Sequence, residues 1–273
     1  MNNILLIGCG HMGSSLLNSW YKIKTNNFTI VDPKNYKLIK KKYRNYKIDS
    51  YKSINNINNI SKFNIVIFAI KPQISQLILR EFKMLKFKKN TLFISIVAGK
   101  KISFFKKNLK NSNQIIRVMP NMPSIVEEGM TCLTAGRLVS KNNKKKASDL
   151  FSKVGEIIWL TNENKLDMAT ALSGSGPGYF FYILLAMQNA GIKLGFSKKI
   201  SSKLVYQTFY GSLKYYKKIN KSPQELIRYI SVKGGTTEAG LRSMKKYNLE
   251  KIFSKSLIAA YKKATFLGKK NNE

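Results

Sequence analysis

The sequence predicts an α/β chain: a doubly wound parallel sheet through residue 160, followed by an all-helical segment. Three observations predict this. Short apolar runs rich in Ile, Val and Phe alternate with amphipathic stretches in the first part, the pattern of a parallel sheet covered on both faces. A glycine-rich turn, Gly8-Cys9-Gly10-His11-Met12-Gly13, joins the first such run to the first amphipathic stretch. After Thr161 the β-type runs stop and only helical periodicity remains.

The elements follow in order. Asn3–Ile7 reads as a strand, Met12–Ile23 as a helix and Phe28–Val31 as a strand. Lys34–Tyr43 is helical, with Pro33 limiting where it begins. Asn64–Ile70, bounded by Lys71-Pro72, is a buried strand. Gln73–Leu85 is a helix, and Thr91–Val97 is a strand ended by Gly99. Ile115–Val118, Met130–Leu133 and Ile157–Leu160 are further strands, with a helix at Ala147–Phe151. Helices then occupy Glu163–Ala171, Gly178–Leu194, Lys198–Lys218, Pro223–Arg228 and Leu249–Leu267. Tyr179–Met187 is apolar all round, so it is expected to be covered on every side, inside the domain or against another subunit. The division expected is 1–160 for the sheet domain and 161–273 for the helical one.

Composition narrows the function. The 273 residues carry 49 Lys plus Arg against 13 Asp plus Glu, a net charge of +36. Such a charge points first to nucleic acid or anionic membrane. Only six of those cations are Arg, however, and base-reading or bidentate phosphate sites favour Arg. The Lys are dispersed over most of the chain, which reads first as a solvated basic surface with no function of its own; the alternative is a field that steers an anionic cofactor or substrate. No nucleic-acid or membrane partner is expected. The longest apolar run, Tyr179–Met187, is far short of the roughly 18 residues a membrane span needs. The two cysteines, Cys9 and Cys132, have no disulfide framework or metal-ligand spacing. A cytoplasmic protein with no secretory signal and no metal is expected.

Gly8, Gly10 and Gly13 stand as G-x-G-x-x-G between a strand and a helix, the Rossmann-type dinucleotide fingerprint in its required setting. The first glycine allows the turn, the second admits a pyrophosphate, and the third lets helix and strand pack closely. His11 and Met12 belong to the same loop; His11, the only histidine, fills a position near the phosphates. Asp32 follows 19 residues after Gly13. There an acidic residue hydrogen-bonds the ribose 2′-hydroxyl and repels a 2′-phosphate, which favours NAD, although Lys34 and Lys37 offset that repulsion. The alternative is a turn Asp before Pro33. Ala69, Lys71, Pro72 and Ala98 sit at carboxyl ends of buried strands, where ligands of open α/β sheets bind. Arg117–Pro123 reads as a fixed loop on the same rim.

The helical part holds Ser173-Gly174-Ser175-Gly176-Pro177 and Gly234-Gly235-Thr236-Thr237. Each reads as a loop that brings backbone N–H groups to a ligand at a helix start; the alternative is a simple tight turn between helices.

Taken in order and spacing, these segments resemble the pyrroline-5-carboxylate reductases over nearly the whole chain. The resemblance implies a Rossmann-type domain followed by a helical dimerisation domain, with homodimers that often assemble into decamers. It implies reduction of the imine 1-pyrroline-5-carboxylate to L-proline by NADPH or NADH. By position it also implies that Asn56 contacts the adenosine ribose. Thr170, Ser173 and Ser175 would wall the nicotinamide side. Glu163 and the amides of Thr236 and Thr237 would hold substrate, and the Thr237 hydroxyl would hydrogen-bond the ring nitrogen as the catalytic group. Three positions depart from the family pattern. Val232-Lys233 replaces Ser-Pro, Asp32 stands where Ser or Arg is usual, and His11 replaces Asn. The first departure leaves open a related reductase for a different small carboxylate.

Overall fold

A computed structural model describes residues 1–46, 48–109 and 113–270, with the side chains of 268–270 outside the description. The chain divides into two compact units. One comprises Met1–Ser175 and the chain from Ala260 onward; the other is Gly176–Ala259.

The first unit is built on an eight-stranded sheet of order β3-β2-β1-β4-β5-β6-β7-β8. The strands are β1 (Asn2–Ile7), β2 (Asn26–Val31), β3 (Ile48–Tyr51), β4 (Ile65–Phe68), β5 (Leu92–Ser95), β6 (Ile115–Met119), β7 (Gly129–Ala135) and β8 (Gly155–Trp159). Alternate residues of each strand feed opposite faces. Ile4, Leu6, Ile30, Ile67 and Ile94 pack on one side with Leu16 and Trp20 of α1 (His11–Trp20), Ile39 of α2 (Tyr36–Lys42), and Leu150 and Phe151 of α5 (Lys141–Phe151). Leu5, Ile7, Val66, Phe68 and Phe93 pack on the other with Leu79 and Phe82 of α3 (Ser75–Phe82) and Phe104 and Phe105 of α4 (Ile102–Asn108). Helices on both faces make the sheet doubly wound, as expected. Trp20 locks α1 to α5, its indole N–H donating to the Leu150 carbonyl at 2.9 Å.

The sheet is not wholly parallel. β7 pairs antiparallel to β6, with Arg117 opposite Thr134, and β8 then runs parallel to β7. The connection between β6 and β7 is one short turn, Met122–Val126, too short for the crossover that parallel strands require. Apolar content marks β7 as buried but carries no direction. The strand β3 and helix α4 also lie where no element was expected. β3 is a short edge strand (Ile-Asp-Ser-Tyr), too short to show an alternation.

The order reverses between β1 and β4, which both border the centre of the sheet. Six strands, β1 to β6, run parallel, so their carboxyl ends share one edge. Register aligns Tyr51, Val31, Ile7, Phe68, Ser95 and Arg117 in a single row along it. The residues that leave this row build the candidate site.

After the sheet come α6 (Glu163–Ala169) and a π-helical turn, Thr170–Gly174. The second unit is helical: α7 (Gly176–Lys193), α8 (Lys198–Ile219), α9 (Pro223–Ile230), α10 (Thr236–Lys246) and the start of α11 (Leu249–Lys270). α9 opens on a reciprocal cap between Ser222 and Glu225. α7 has no buried residue: Phe181 is 63% exposed, Tyr182 73% and Leu185 52%. Its apolar girdle is therefore not the inside of the domain, and covering by another subunit is the reading that remains. Among the described residues, no helix is long and apolar enough to cross a membrane.

Candidate functional site

The glycine loop lies at the switch point between β1 and β4. Gly8 has φ +89°, and a Cβ there would stand 2.6 Å from the Ala69 carbonyl oxygen. A Cβ on Gly13 would come as close to the Gly8 carbonyl oxygen. Both positions therefore demand glycine, one for its backbone and one for the approach of α1 to the turn. Gly10 differs: a Cβ there would meet nothing within 4 Å. Open space above Gly10, at the amino end of α1, fits a dinucleotide pyrophosphate taken by free N–H groups and a positive dipole end. His11 is the first residue of α1, exposed, and Met12 packs against the core.

Asp32 leaves that row directly after Val31 of β2 and is 7% exposed. Its Oδ2 accepts the Cys9 N–H at 2.7 Å, and its Oδ1 accepts the N–H groups of Lys34 and Asn35 at 2.9 and 2.8 Å. Burial alone raises its carboxyl; the donors from Cys9, Asn35 and Lys34 outweigh that and hold it below the usual range. Burial, and then the nearby Asp32 charge, push the Cys9 thiol up to about 12, so Cys9 is an inert packing group.

The other expected cofactor residues lie on this edge. Asn56 closes the 3₁₀ turn Ile54–Asn56 after β3, exposed, with Ser53 capping the turn. Ala69 touches the glycine turn, as above. Lys71, exposed, caps the turn Pro72–Ile74, with Pro72 in its first position. Ala98 is exposed beside Gly99, whose φ is +74°.

The rim loop after β6 reaches the Ser173 segment. The Asn121 side chain donates to the Ser173 carbonyl at 3.2 Å and accepts the Met130 N–H at 2.8 Å. Met119 packs under Gly174, where an added Cβ would meet its methyl at 2.8 Å. The Thr170 hydroxyl donates to the Leu166 carbonyl at 2.9 Å, and the Ser175 N–H donates to the Thr170 carbonyl at 2.9 Å, closing the π turn. Thr170, Ser173 and Ser175 are all half-buried.

Glu163 is the acidic first residue of α6. It accepts the Ile102 N–H and an Arg117 N–H, both at 2.9 Å, while Arg117 also donates to Asp167 at 3.1 Å. Arg117 is 4% exposed, so β6 delivers a buried cation to two carboxylates of α6. This cluster was not anticipated from sequence. Its signal is legible in retrospect: Ile-Ile-Arg-Val-Met is an apolar strand interrupted by one Arg, and a buried Arg needs a partner.

In the second unit, Gly234 has φ +75° and the Gly235 N–H donates to the Val232 carbonyl at 2.9 Å, so Val232–Gly235 is a tight turn. α10 begins at Thr236 with Gly235 as its cap. Thr236 and Thr237 are exposed at the helix head, where no earlier helical carbonyl accepts their N–H groups. Glu238 accepts the Gly234 N–H at 2.7 Å and pairs with Arg242 at 3.4 Å. Val232 and Lys233 are exposed. Among the described residues no group of His, Cys, Asp and Glu is arranged to hold a metal.

A doubly wound sheet with this glycine loop at its switch point defines a dinucleotide-dependent oxidoreductase. Known proteins make the class particular. Residues 3–99 match the family described as NADP oxidoreductase, coenzyme F420-dependent, and residues 163–267 match the pyrroline-5-carboxylate reductase dimerisation family. The pyrroline-5-carboxylate reductase of Haemophilus influenzae is 36% identical over 71% of this chain and 72% of its own length. That of Pseudomonas aeruginosa is 32% identical over 78% of this chain and 77% of its own length. Among solved structures, the enzyme of Coxiella burnetii superposes with TM-score 0.87 at 31% identity, covering 97% of this chain and 98% of that one. A Plasmodium falciparum pyrroline carboxylate reductase with NADP bound gives 0.84 at 28% identity, covering 98% of each chain. The chain belongs to the pyrroline-5-carboxylate reductase family.

Proposed function

We propose that this protein reduces 1-pyrroline-5-carboxylate to L-proline with NADPH or NADH, the last step of proline biosynthesis. The observation that carries the reading is the pair of glycine turns, Gly8–Gly13 and Gly234–Thr237, in a chain whose residues 163–267 match the family's dimerisation segment. In this reading residues 1–160 hold the dinucleotide and 161–273 supply substrate contacts and the subunit interface.

The bound dinucleotide supplies the hydride, and the protein orients and polarises. Gly8, Gly10, His11, Met12 and Gly13 hold the phosphates. Asn56, Ala69, Lys71, Pro72 and Ala98 line the rest of the edge, with Thr170, Ser173 and Ser175 on the nicotinamide side. The amides of Thr236 and Thr237 bind the substrate carboxylate at the amino end of α10, where the helix dipole favours an anion. The Thr237 hydroxyl donates to the imine nitrogen and makes the adjacent carbon more electrophilic. Glu163, already bonded to Arg117 and the Ile102 N–H, holds its substrate contact with a carboxylate whose orientation is set by those partners.

Purified protein should oxidise a reduced nicotinamide only when the imine is added; absence of that turnover with both NADH and NADPH overturns the reading. Thr237→Val should lower kcat on the order of 10²-fold with little change in dinucleotide affinity. A second reading, a reductase for another small carboxylate, draws on Val232-Lys233. It gains if Val232→Ser with Lys233→Pro turns a weak imine activity into a strong one. Assembly beyond the homodimer into decamers belongs to the same proposal, with light scattering as its measurement, as does a cytoplasmic location, in keeping with two free buried thiols.

A further inference from the structure

Dinucleotide sites of this type place an acidic residue at the end of the second strand to read the ribose. Asp32 occupies that position, but its carboxylate is engaged inside the protein. Oδ2 takes the Cys9 N–H at 2.7 Å and the Asn35 side-chain amide at 3.3 Å. Oδ1 takes the N–H groups of Lys34 and Asn35 at 2.9 and 2.8 Å. A carboxylate has about four acceptor sites, and four N–H donors fill them. A ribose hydroxyl entering this set would have to displace one of them and leave a buried N–H unpaired.

The partners show what the carboxylate does. Cys9 is the single residue between Gly8 and Gly10. Asp32 holds its N–H, and the Asn35 side chain reaches its carbonyl at 3.5 Å. Cys9, at the centre of the glycine turn, is thus held at its N–H by Asp32 and at its carbonyl by Asn35, the residue that caps α2. Shortly after Asp32 in the chain the side chains of Lys34 and Lys37 are exposed, and their charge favours a 2′-phosphate.

We propose that Asp32 is a positioning residue that aims the phosphate-binding loop and does not discriminate NADPH from NADH. This rests on reading that loop as the dinucleotide site. The experiment is direct titration of NAD⁺ and NADP⁺ by calorimetry, without substrate, into wild type, Asp32→Asn and Asp32→Ser, with a melting curve for each. Asn keeps the shape and the Oδ1 acceptor but loses the charge and sets an NH₂ against the Cys9 N–H. Both variants should weaken both dinucleotides together, Ser more than Asn. Ser should cost about tenfold, the loss of one charge-assisted hydrogen bond. The NADP⁺ to NAD⁺ affinity ratio should move less than about threefold.

A tenfold or larger shift of that ratio toward NADP⁺ would show a discriminating carboxylate and overturn the inference, and unchanged binding of both would overturn it as well. Asp32→Asn carries the same comparison if Asp32→Ser does not fold. If wild type binds neither dinucleotide, the site reading itself fails and the inference with it.

Discussion

Ile4, Leu6, Ile67 and Ile94 in the sheet are wholly shielded from solvent, and the charged and amide groups that carry the rim of this unit find partners, although the buried hydroxyls of Ser15, Ser124 and Thr131 do not. Arg117 meets two carboxylates, Asp32 meets four N–H donors, and Asn121 bonds on both sides of its amide. Between Gly176 and Ala259 the balance is reversed. Ser201, Val205 and Leu226 are the buried residues of that unit among those described, while Phe181, Tyr182, Leu185, Tyr206 and Leu213 face outward. An apolar groove of about 490 Å³ opens between α8 and α9, lined by Phe209, Tyr216, Leu226 and Ile230. A monomer rarely leaves so much apolar surface uncovered. One unit is complete as a single chain, and the other, which matches the family's dimerisation segment, is left to be completed by a second copy in a homo-oligomer. The difference teaches where each kind of mutation will register: in folding stability for the sheet, in assembly for the helices.

That contrast can be broken first at Arg117. Arg117→Met leaves Glu163 and Asp167 facing each other without their cation. A loss of about 3–5 kcal/mol in denaturant unfolding is expected, with subunit affinity following only as far as the sheet melts. Next, Phe181→Glu with Tyr182→Glu should weaken the dimer by on the order of a hundredfold or more, about 2.7 kcal/mol, read by sedimentation across concentration. The sheet's own unfolding should hardly move. A dimer that survives both charges would remove α7 from the interface.

The glycine loop sharpens the comparison at smaller cost. Gly13→Ala forces a methyl against the Gly8 carbonyl and should destabilise the protein by about 1–3 kcal/mol. Gly10→Ala meets no protein atom, so stability should change by under about 0.5 kcal/mol while dinucleotide affinity falls. Equal melting losses for the two would deny that Gly10 faces a ligand. The smallest effect is pH-dependent. Asp32 has a folded pKa below its unfolded value near 3.9, so its stabilisation is complete above about pH 4 and is lost as pH falls through the lower folded value. Asp32→Ser should flatten that acid-side slope of unfolding free energy in the dinucleotide-free protein, and a slope left intact would show that the carboxylate is not held as described.

Much of this molecule is legible in order of residues. The alternation of β-branched runs with amphipathic stretches named seven of the eight strands, and the spacing of Gly8, Gly10 and Gly13 identified the turn at the switch point. Apolarity on every face of Tyr179–Met187 already demanded a cover, because a helix of that kind has no side for water. The π turn and the rim loop were legible only as glycine- and proline-rich segments; that Asn121 ties one to the other could not be read, because the two lie 52 residues apart.

Sequence alone thus determined the local periodicities, the positions that must be glycine and the family. Those follow from steric and solvation rules acting over a few residues. Tertiary structure decided the antiparallel turn into β7, the pairing of Arg117 with Glu163 and Asp167, and the use of Asp32. Each depends on a donor or acceptor far away in the chain, and burial favours a partner for a polar group without saying which one. The position of Asp32 in the chain suggested a reader of the ribose or a turn residue before Pro33; the bonds from Lys34 and Asn35 are those of the turn, and only the fold adds the Cys9 N–H that ties this carboxylate to the glycine loop.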